Sequence, residues 1–199
     1  IDYKSGNTSF DLVSLYHGLQ LQSCRYIWTL LVDAEQRKHP DCDIQPAGNF
    51  LLQCERSHDP GNIQADMDSI QPGLLKELKM NGLVAANSEV IQKMDRSLVS
   101  LPVTYNKDGS FRKGSSVATR EQFRLLNEYV KRKISDIRGE ILSGDTEVSP
   151  YELGKRTACT YCSYQGVCGF DRKIPGYEYR RLKQFSDQEI WNHLEEEER

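Results

Sequence analysis

Ile1-Asp2-Tyr3-Lys4-Ser5-Gly6-Asn7 puts a carboxylate and an amine two residues apart, just before a Ser-Gly-Asn turn. The first four residues read as the end of a strand. Alternate strand residues share a face, so Asp2 and Lys4 project together. Working outward, Ser9-Phe10-Asp11 leads into a helix expected from about Leu12 to Lys38. There Leu12, Leu15, Tyr16, Leu19, Tyr26, Ile27, Leu30 and Leu31 recur mostly at three- and four-residue steps. Gly18 weakens the middle of such a helix by roughly 1 kcal/mol, or admits a close approach. Gln22 and Tyr26 are four apart and so share one helix face.

The chemistry of this pattern is hydrolytic. A divalent ion that cleaves a phosphodiester needs carboxylates to hold it and a cation beside the attacking water and developing negative charge. Asp2 and Lys4 supply one of each, and Gln22 and Tyr26 add an amide and a hydroxyl that can orient a strand. Each piece alone is common on protein surfaces. Together, Asp-x-Lys, a glycine-containing turn and Gln-x-x-x-Tyr on the next helix resemble the nuclease domain of the RecB-like branch of the PD-(D/E)xK superfamily. That resemblance implies that Asp2 ligates Mg²⁺, that Lys4 is catalytic, and that Gln22 and Tyr26 complete a further motif. The family's other metal-binding Asp lies on an earlier strand and is expected upstream of Ile1. The chain opens on Ile rather than Met, and it reads as starting inside a domain.

The second chemical signal is Cys159-Thr160-Tyr161-Cys162-Ser163-Tyr164-Gln165-Gly166-Val167-Cys168, spaced C-x2-C-x5-C. Thiolates two residues apart grip one centre through a tight turn, and a third suits zinc or an iron–sulfur cluster. Both centres usually take four ligands, and no histidine lies in the segment. The residues from Lys155 to Tyr164 and from Val167 to Asp171 resemble the cluster segment of the AddB family, found in bacterial AddAB helicase–nucleases. Gly48, residues 79–83, 107–111 and 115–123 resemble the same family in order, weakest over about residues 24–70. In that family three C-terminal cysteines join one distant cysteine to hold a [4Fe-4S] cluster. The resemblance therefore gives Cys159, Cys162 and Cys168 as cluster ligands, with the fourth upstream of this chain. Cys24, Cys42 and Cys54 read as ordinary small apolar residues.

Between these signals, Ala47 to Cys54 reads as a returning strand and Asp59-Pro60-Gly61 as a turn. Leu74 to Met80 reads as a helix with Gly82 as its C-cap. Ser88 to Met94 reads as a short helix with Ser88 as N-cap, and Val103 to Arg112 as a hairpin around Asn106-Lys107-Asp108-Gly109. Thr119 should cap a long helix from Arg120 to about Ser143, with Phe123, Leu126, Val130, Ile134, Ile137 and Ile141 on one face and Gly144 stopping it. The acidic tail around residues 195–198 reads as solvated.

The expected fold is α/β: a restriction-endonuclease-type mixed sheet flanked by helices, truncated at its start. Residues 1–157 would form the nuclease part, and residues 158–199 a cluster-bearing staple and tail. With 38% apolar and 28% charged residues and a net charge of −3, the chain can bury a core but carries no global basic field. No apolar run approaches the roughly 20 residues of a membrane span, and a reducing cytoplasm suits the clustered cysteines. No phosphate-binding P-loop is present, so ATP use does not belong to these residues. The resemblance implies an exonuclease acting on DNA double-strand ends and single strands in recombinational repair, with an ATP-hydrolysing AddA-type partner. Rival readings are a CRISPR-adaptation-type cluster nuclease, a non-catalytic DNA-binding module and a zinc-bearing interaction domain. Smaller questions are whether His17 faces the site, whether His39, His58 and His193 are inert, and whether Arg120 meets a DNA phosphate or a surface carboxylate. The runs Lys131-Arg132-Lys133 and Arg180, Arg181, Lys183 could line a DNA path or simply be solvated.

Overall fold

A computed structural model of the chain describes residues 2–4, 8–26, 31–53 and 80–198. Four strands form a mixed sheet in the order β1-β2-β3-β4: Asp2–Lys4, Gly48–Gln53, Asn81–Ala85 and Val117–Ala118. β1 runs parallel to β2, β2 antiparallel to β3, and β3 parallel to β4. A parallel pair needs a long crossover. Here it carries α1 (Leu12–Tyr16), α2 (Leu21–Arg25) and α3 (Asp33–Lys38). The mixed sheet flanked by helices is the expected architecture.

The crossover is not the single helix that its periodicity suggests. Gly18 adopts φ +82°, a left-handed backbone, and His17 ends α1. A residue without Cβ takes this conformation at no steric cost, so the helix breaks there and restarts at Leu21. Apolar spacing continues across the break, which hides it from a pattern reading. Asp11 starts α1 by accepting from the Val13 and Ser14 N–H groups, both at 3.2 Å.

Residues alternate across the sheet. Leu83 and Ala118 belong to the larger core with Leu12, Leu15, Cys24, Phe123, Leu126 and Val130. Phe50 and Val84 belong to a second core with Ile91, Leu101 and Val103 on the other face. The first face is covered by α1, α2, α5 (Arg120–Ser143) and α7 (Asp187–Glu198), the second by α4 (Ser88–Met94) and the chain after it. Fully burying an aliphatic side chain such as Leu15 or Ile190 contributes about 1.5–3 kcal/mol.

Several local expectations change. Asn87, not Ser88, caps α4, accepting from the Glu89 and Val90 N–H groups. Gly82 is not a helix cap but lies within β3, where a Cβ would come 2.0 Å from the Asn49 carbonyl oxygen. The expected hairpin is reduced to one bridge, Tyr105 to Phe111. α5 starts and stops as expected: Thr119 and Gln122 form a reciprocal capping box and Gly144 ends the helix left-handed. Its buried stripe fades early, however, and Ile141 is 71% exposed. The turns at residues 5–7 and 59–61, the helix from Leu74, and Cys54 and His58 lie outside the described residues.

A second sheet, β6-β5-β7, follows α5: Tyr151–Leu153 (β5), Arg156–Thr157 (β6) and Arg180–Arg181 (β7). Between β6 and β7 comes α6 (Gln165–Cys168). The acidic tail is exposed, as expected, and it forms the end of α7. Ile190, Trp191 and Leu194 are buried against α1 and α5. Tyr16 Oη donates to Glu197 at 3.2 Å, and Arg124 grips Glu198 with two nitrogens, both at 2.5 Å. An apolar stripe on one side of a strongly acidic helix drives the docking, and the acids then meet basic residues of α5.

Candidate functional site

β1 carries Asp2 and Lys4, whose register positions lie beside Leu51 and Gln53 of β2. Asn49 of β2 faces α2: its Nδ2 donates to Cys24 Sγ at 3.0 Å and lies 3.4 Å from Ser23 Oγ. Leu51, two residues on, lines a cavity of about 160 Å³ with Thr8 and residues 19–23. Gln22 is therefore part of the wall over the β2 position that registers with Asp2. The Tyr26 N–H bonds to the Gln22 carbonyl, one helical turn away, and the Tyr26 side chain is 51% exposed. Topology thus puts the Asp-x-Lys strand next to β2, whose Leu51 lies against the turn that carries Gln22.

Asn49 is the residue beneath this arrangement that pattern reading missed. It is 4% exposed, and its Oδ1 has no partner among the described residues. Cys24, 2% exposed, is an ordinary buried thiol as expected, pushed up to about 12 by burial despite hydrogen bonds from Asn49 and Ser23. Cys42 departs from that expectation by being exposed.

The cysteine segment hangs from the second sheet. Cys159, Cys162 and Cys168 line one open cavity of about 680 Å³ with Gln165, Phe170, Arg172 and Tyr179. The Cys162 N–H bonds to the Cys159 carbonyl at 3.3 Å, and Gln165 Nε2 donates to that same carbonyl. The Tyr164 N–H donates to Cys162 Sγ and the Phe170 N–H to Cys168 Sγ, each at 3.4 Å. Two of the three sulfurs therefore have a backbone N–H aimed at them. Among the described residues no three His, Cys, Asp or Glu side chains converge closely enough to hold a single metal ion.

The other residues resolve simply. His17 Nε2 lies 2.8 Å from the Lys183 carbonyl and its ring stacks near Phe185, so it packs rather than facing the site. His193 is on α7 and packs edge-on against Phe185. Arg120 pairs with Asp43 on the surface. Lys131 pairs with Glu128, Arg132 with Glu197 and Arg181 with Glu152. These pairs match the solvated reading of the basic runs. Among the described residues no helix is long and apolar enough to cross a membrane.

A mixed sheet that seats an Asp-x-Lys strand beside a Gln-x-x-x-Tyr helix defines a class, and the family pattern of the PD-(D/E)XK nuclease superfamily matches residues 1–169. The chain belongs to that superfamily. Along nearly its whole length it is also similar to proteins named as the B-type subunit of an ATP-dependent helicase/deoxyribonuclease. It is 39% identical over 210 residues to that of Lachnoclostridium phytofermentans, covering 99% of this chain and 18% of the relative. It is 38% identical over 205 residues to that of a Thermoanaerobacter species, covering 99% and 17%. To that of Clostridioides difficile it is 38% identical over 200 residues, covering 96% and 17%. The chain thus spans less than a fifth of these relatives, and the resemblance to the AddB family of helicase–nuclease proteins is borne out.

Proposed function

We propose that this chain is the strand-cleaving part of a helicase–nuclease subunit, degrading DNA from double-strand ends for recombinational repair. The reaction is Mg²⁺-dependent phosphodiester hydrolysis. Asp2 serves as one of two carboxylates on the metal, Lys4 acts at the attacking water, and Gln22 and Tyr26 orient the strand. The observation that carries this reading is the register of β1 on β2, which sets Asp2 beside the Leu51 position under α2. Relatives named as helicase/deoxyribonuclease subunits support a DNA substrate and an AddA-type, ATP-hydrolysing partner.

Residues 1–157 form the nuclease part of this reading, and residues 158–199 the staple and tail. Cys159, Cys162 and Cys168 hold a [4Fe-4S] cluster together with a cysteine outside this stretch. The chemistry of the donor set fits: three thiols round one cavity, two of them with a backbone hydrogen-bond donor. A single zinc ion, with bonds of about 2.3 Å, would need the sulfurs nearly in contact. A cluster seats its ligands on separate iron atoms and spans a wider opening. The bound cluster would brace the segment, and the site of use is the cytoplasm.

The test is cleavage of end-labelled linear DNA by the full-length protein with its partner, with ATP and Mg²⁺. Release of short products from ends, none from closed circles, and loss of activity on chelation support the reading. Cleavage of closed circles, or cleavage without a divalent ion, overturns it.

A further inference from the structure

α2 is too short a helix to set its own direction. It has five residues, Leu21–Arg25, and follows closely on the left-handed break at Gly18. Gln20 stands at its N-cap without a side-chain bond to it. That side chain is engaged elsewhere, accepting from the Asp11 N–H at 3.0 Å and donating to the Ser9 carbonyl at 2.9 Å. A single helical turn has little stability of its own, so its rotation is set by what it touches. Ser23 and Cys24 form its buried side, while Gln22, Arg25 and Tyr26 are exposed. The polar group that meets the buried side is the Asn49 amide, with Nδ2 3.0 Å from Cys24 Sγ and 3.4 Å from Ser23 Oγ. Asn49 stands on β2, between β1 and β3, where Gly82 lets the two backbones close up beside it. Two residues on, Leu51 registers with Asp2. One inner strand thus indexes both halves of the candidate site: Asp2 by register, and α2 by a side-chain amide.

We propose that Asn49 is a positioning residue for strand cleavage, its amide fixing the rotation of α2 on β2 and with it the direction in which Gln22 and Tyr26 project. The inference rests on the role proposed above for that turn and adds the residue that holds it. An apolar side chain at this place would pack against small residues in more than one rotation. A hydrogen bond is directional, and a slip of one residue turns a helix by about 100°, which carries Cys24 Sγ off the amide. The buried amide would then lie without its partners, which penalises every other rotation. One buried Asn selects a single alignment in coiled coils by the same means, at some cost in stability. Gln22 and Tyr26, four apart on the exposed side, follow the buried side as it turns. Asn49 is itself buried and acts through α2, so its loss belongs in the cleavage step rather than in DNA affinity.

The experiment uses the full-length protein with its partner, ATP and Mg²⁺, and reads single-turnover cleavage of the labelled strand that Lys4→Ala leaves uncut. Wild type, Asn49→Val, Gln22→Ala/Tyr26→Phe and the triple variant are compared for rate at saturation and for half-saturating concentration, with thermal unfolding alongside. Asn49→Val is expected to cut roughly tenfold more slowly at saturation, with half-saturation moved by less than about twofold. In the Gln22→Ala/Tyr26→Phe background the same change should add no further loss, because nothing remains to be positioned. An equal loss in that background overturns the role of Asn49 and leaves the nuclease reading standing. So does an intact rate in Asn49→Val alone, whether or not its unfolding midpoint falls. If Asn49→Val does not fold, the bond is tested from its other end. Cys24→Ala should then slow cleavage and Cys24→Ser, which keeps a hydrogen-bonding atom, should restore it; equal rates overturn the role. Wild-type cleavage by Gln22→Ala/Tyr26→Phe, or of every strand by Lys4→Ala, overturns the reading of the site and this inference with it.

Discussion

Arg156 Nη2 donates to Ser14 Oγ at 2.6 Å, joining β6 to α1. Ser14 is fully buried, and its hydroxyl also donates to the Asp11 carboxylate that caps α1. Arg156 stands three residues before Cys159. The hairpin that presents the cysteines is thus fastened to the first helix after the Asp-x-Lys strand. Ser14→Ala and Arg156→Ala are each expected to lower stability by about 1–2 kcal/mol. If the bond is what they share, the double variant loses less than the sum of the two. A double-mutant cycle by urea unfolding checks this, and full additivity would show that the two residues act separately.

Lys4→Ala in the full-length protein should reduce strand cleavage by about a hundredfold or more while sparing DNA binding, since the proposed role sets this cation on developing charge. Parallel cleavage and electrophoretic mobility assays read the two effects. Retained cleavage would remove Lys4 from the mechanism.

Under the proposed cluster reading, Cys162→Ala should release iron and weaken the hold on DNA ends. Iron content and end-binding affinity of the anaerobically purified protein are the measurements. Unchanged iron would sink the cluster assignment.

Cys24 sets a pH dependence with a definite sign. Burial pushes its thiol from 9.0 up to about 12. The folded state keeps the proton where the unfolded state has lost it. Its contribution is therefore complete below about pH 9 and declines by about 1.4 kcal/mol per pH unit as pH rises toward 12. Unfolding midpoints of wild type and Cys24→Ala, compared across that window, isolate this from tyrosine titration. Equal slopes would show that the thiol is not protected. Thiol labelling of the folded protein near neutrality should modify exposed Cys42 and spare Cys24.

What the sequence made legible is what is encoded locally. Thr119, Gln122 and Gly144 state both ends of α5 in neighbouring residues, and β1 and β2 stand out as short runs bounded by turns. The Asp-x-Lys and Gln-x-x-x-Tyr pairs were readable because strand and helix periods fix which residues share a side. The break at Gly18 was not, because apolar spacing carries no record of backbone handedness. β3 escaped because Gly82 is as common in a cap as in a strand, and only the Asn49 carbonyl opposite explains it. Asn49 beneath α2 and Arg156 on Ser14 are meetings of distant residues, which no local pattern announces. That the exposed acidic run is helical was not legible, because the apolar residues that dock the helix, Ile190, Trp191 and Leu194, precede it.

That last helix has a consequence for synthesis. Leu12, Leu15 and Tyr16 leave the ribosome early, but the surface that covers them comes partly from Ile190, Trp191 and Leu194. Until that stretch has emerged, the nascent chain holds an apolar face open to its surroundings, and loop closure between these distant segments must precede its burial. Translation through α7, rather than completion of the sheet, is the moment at which this domain can first close its core.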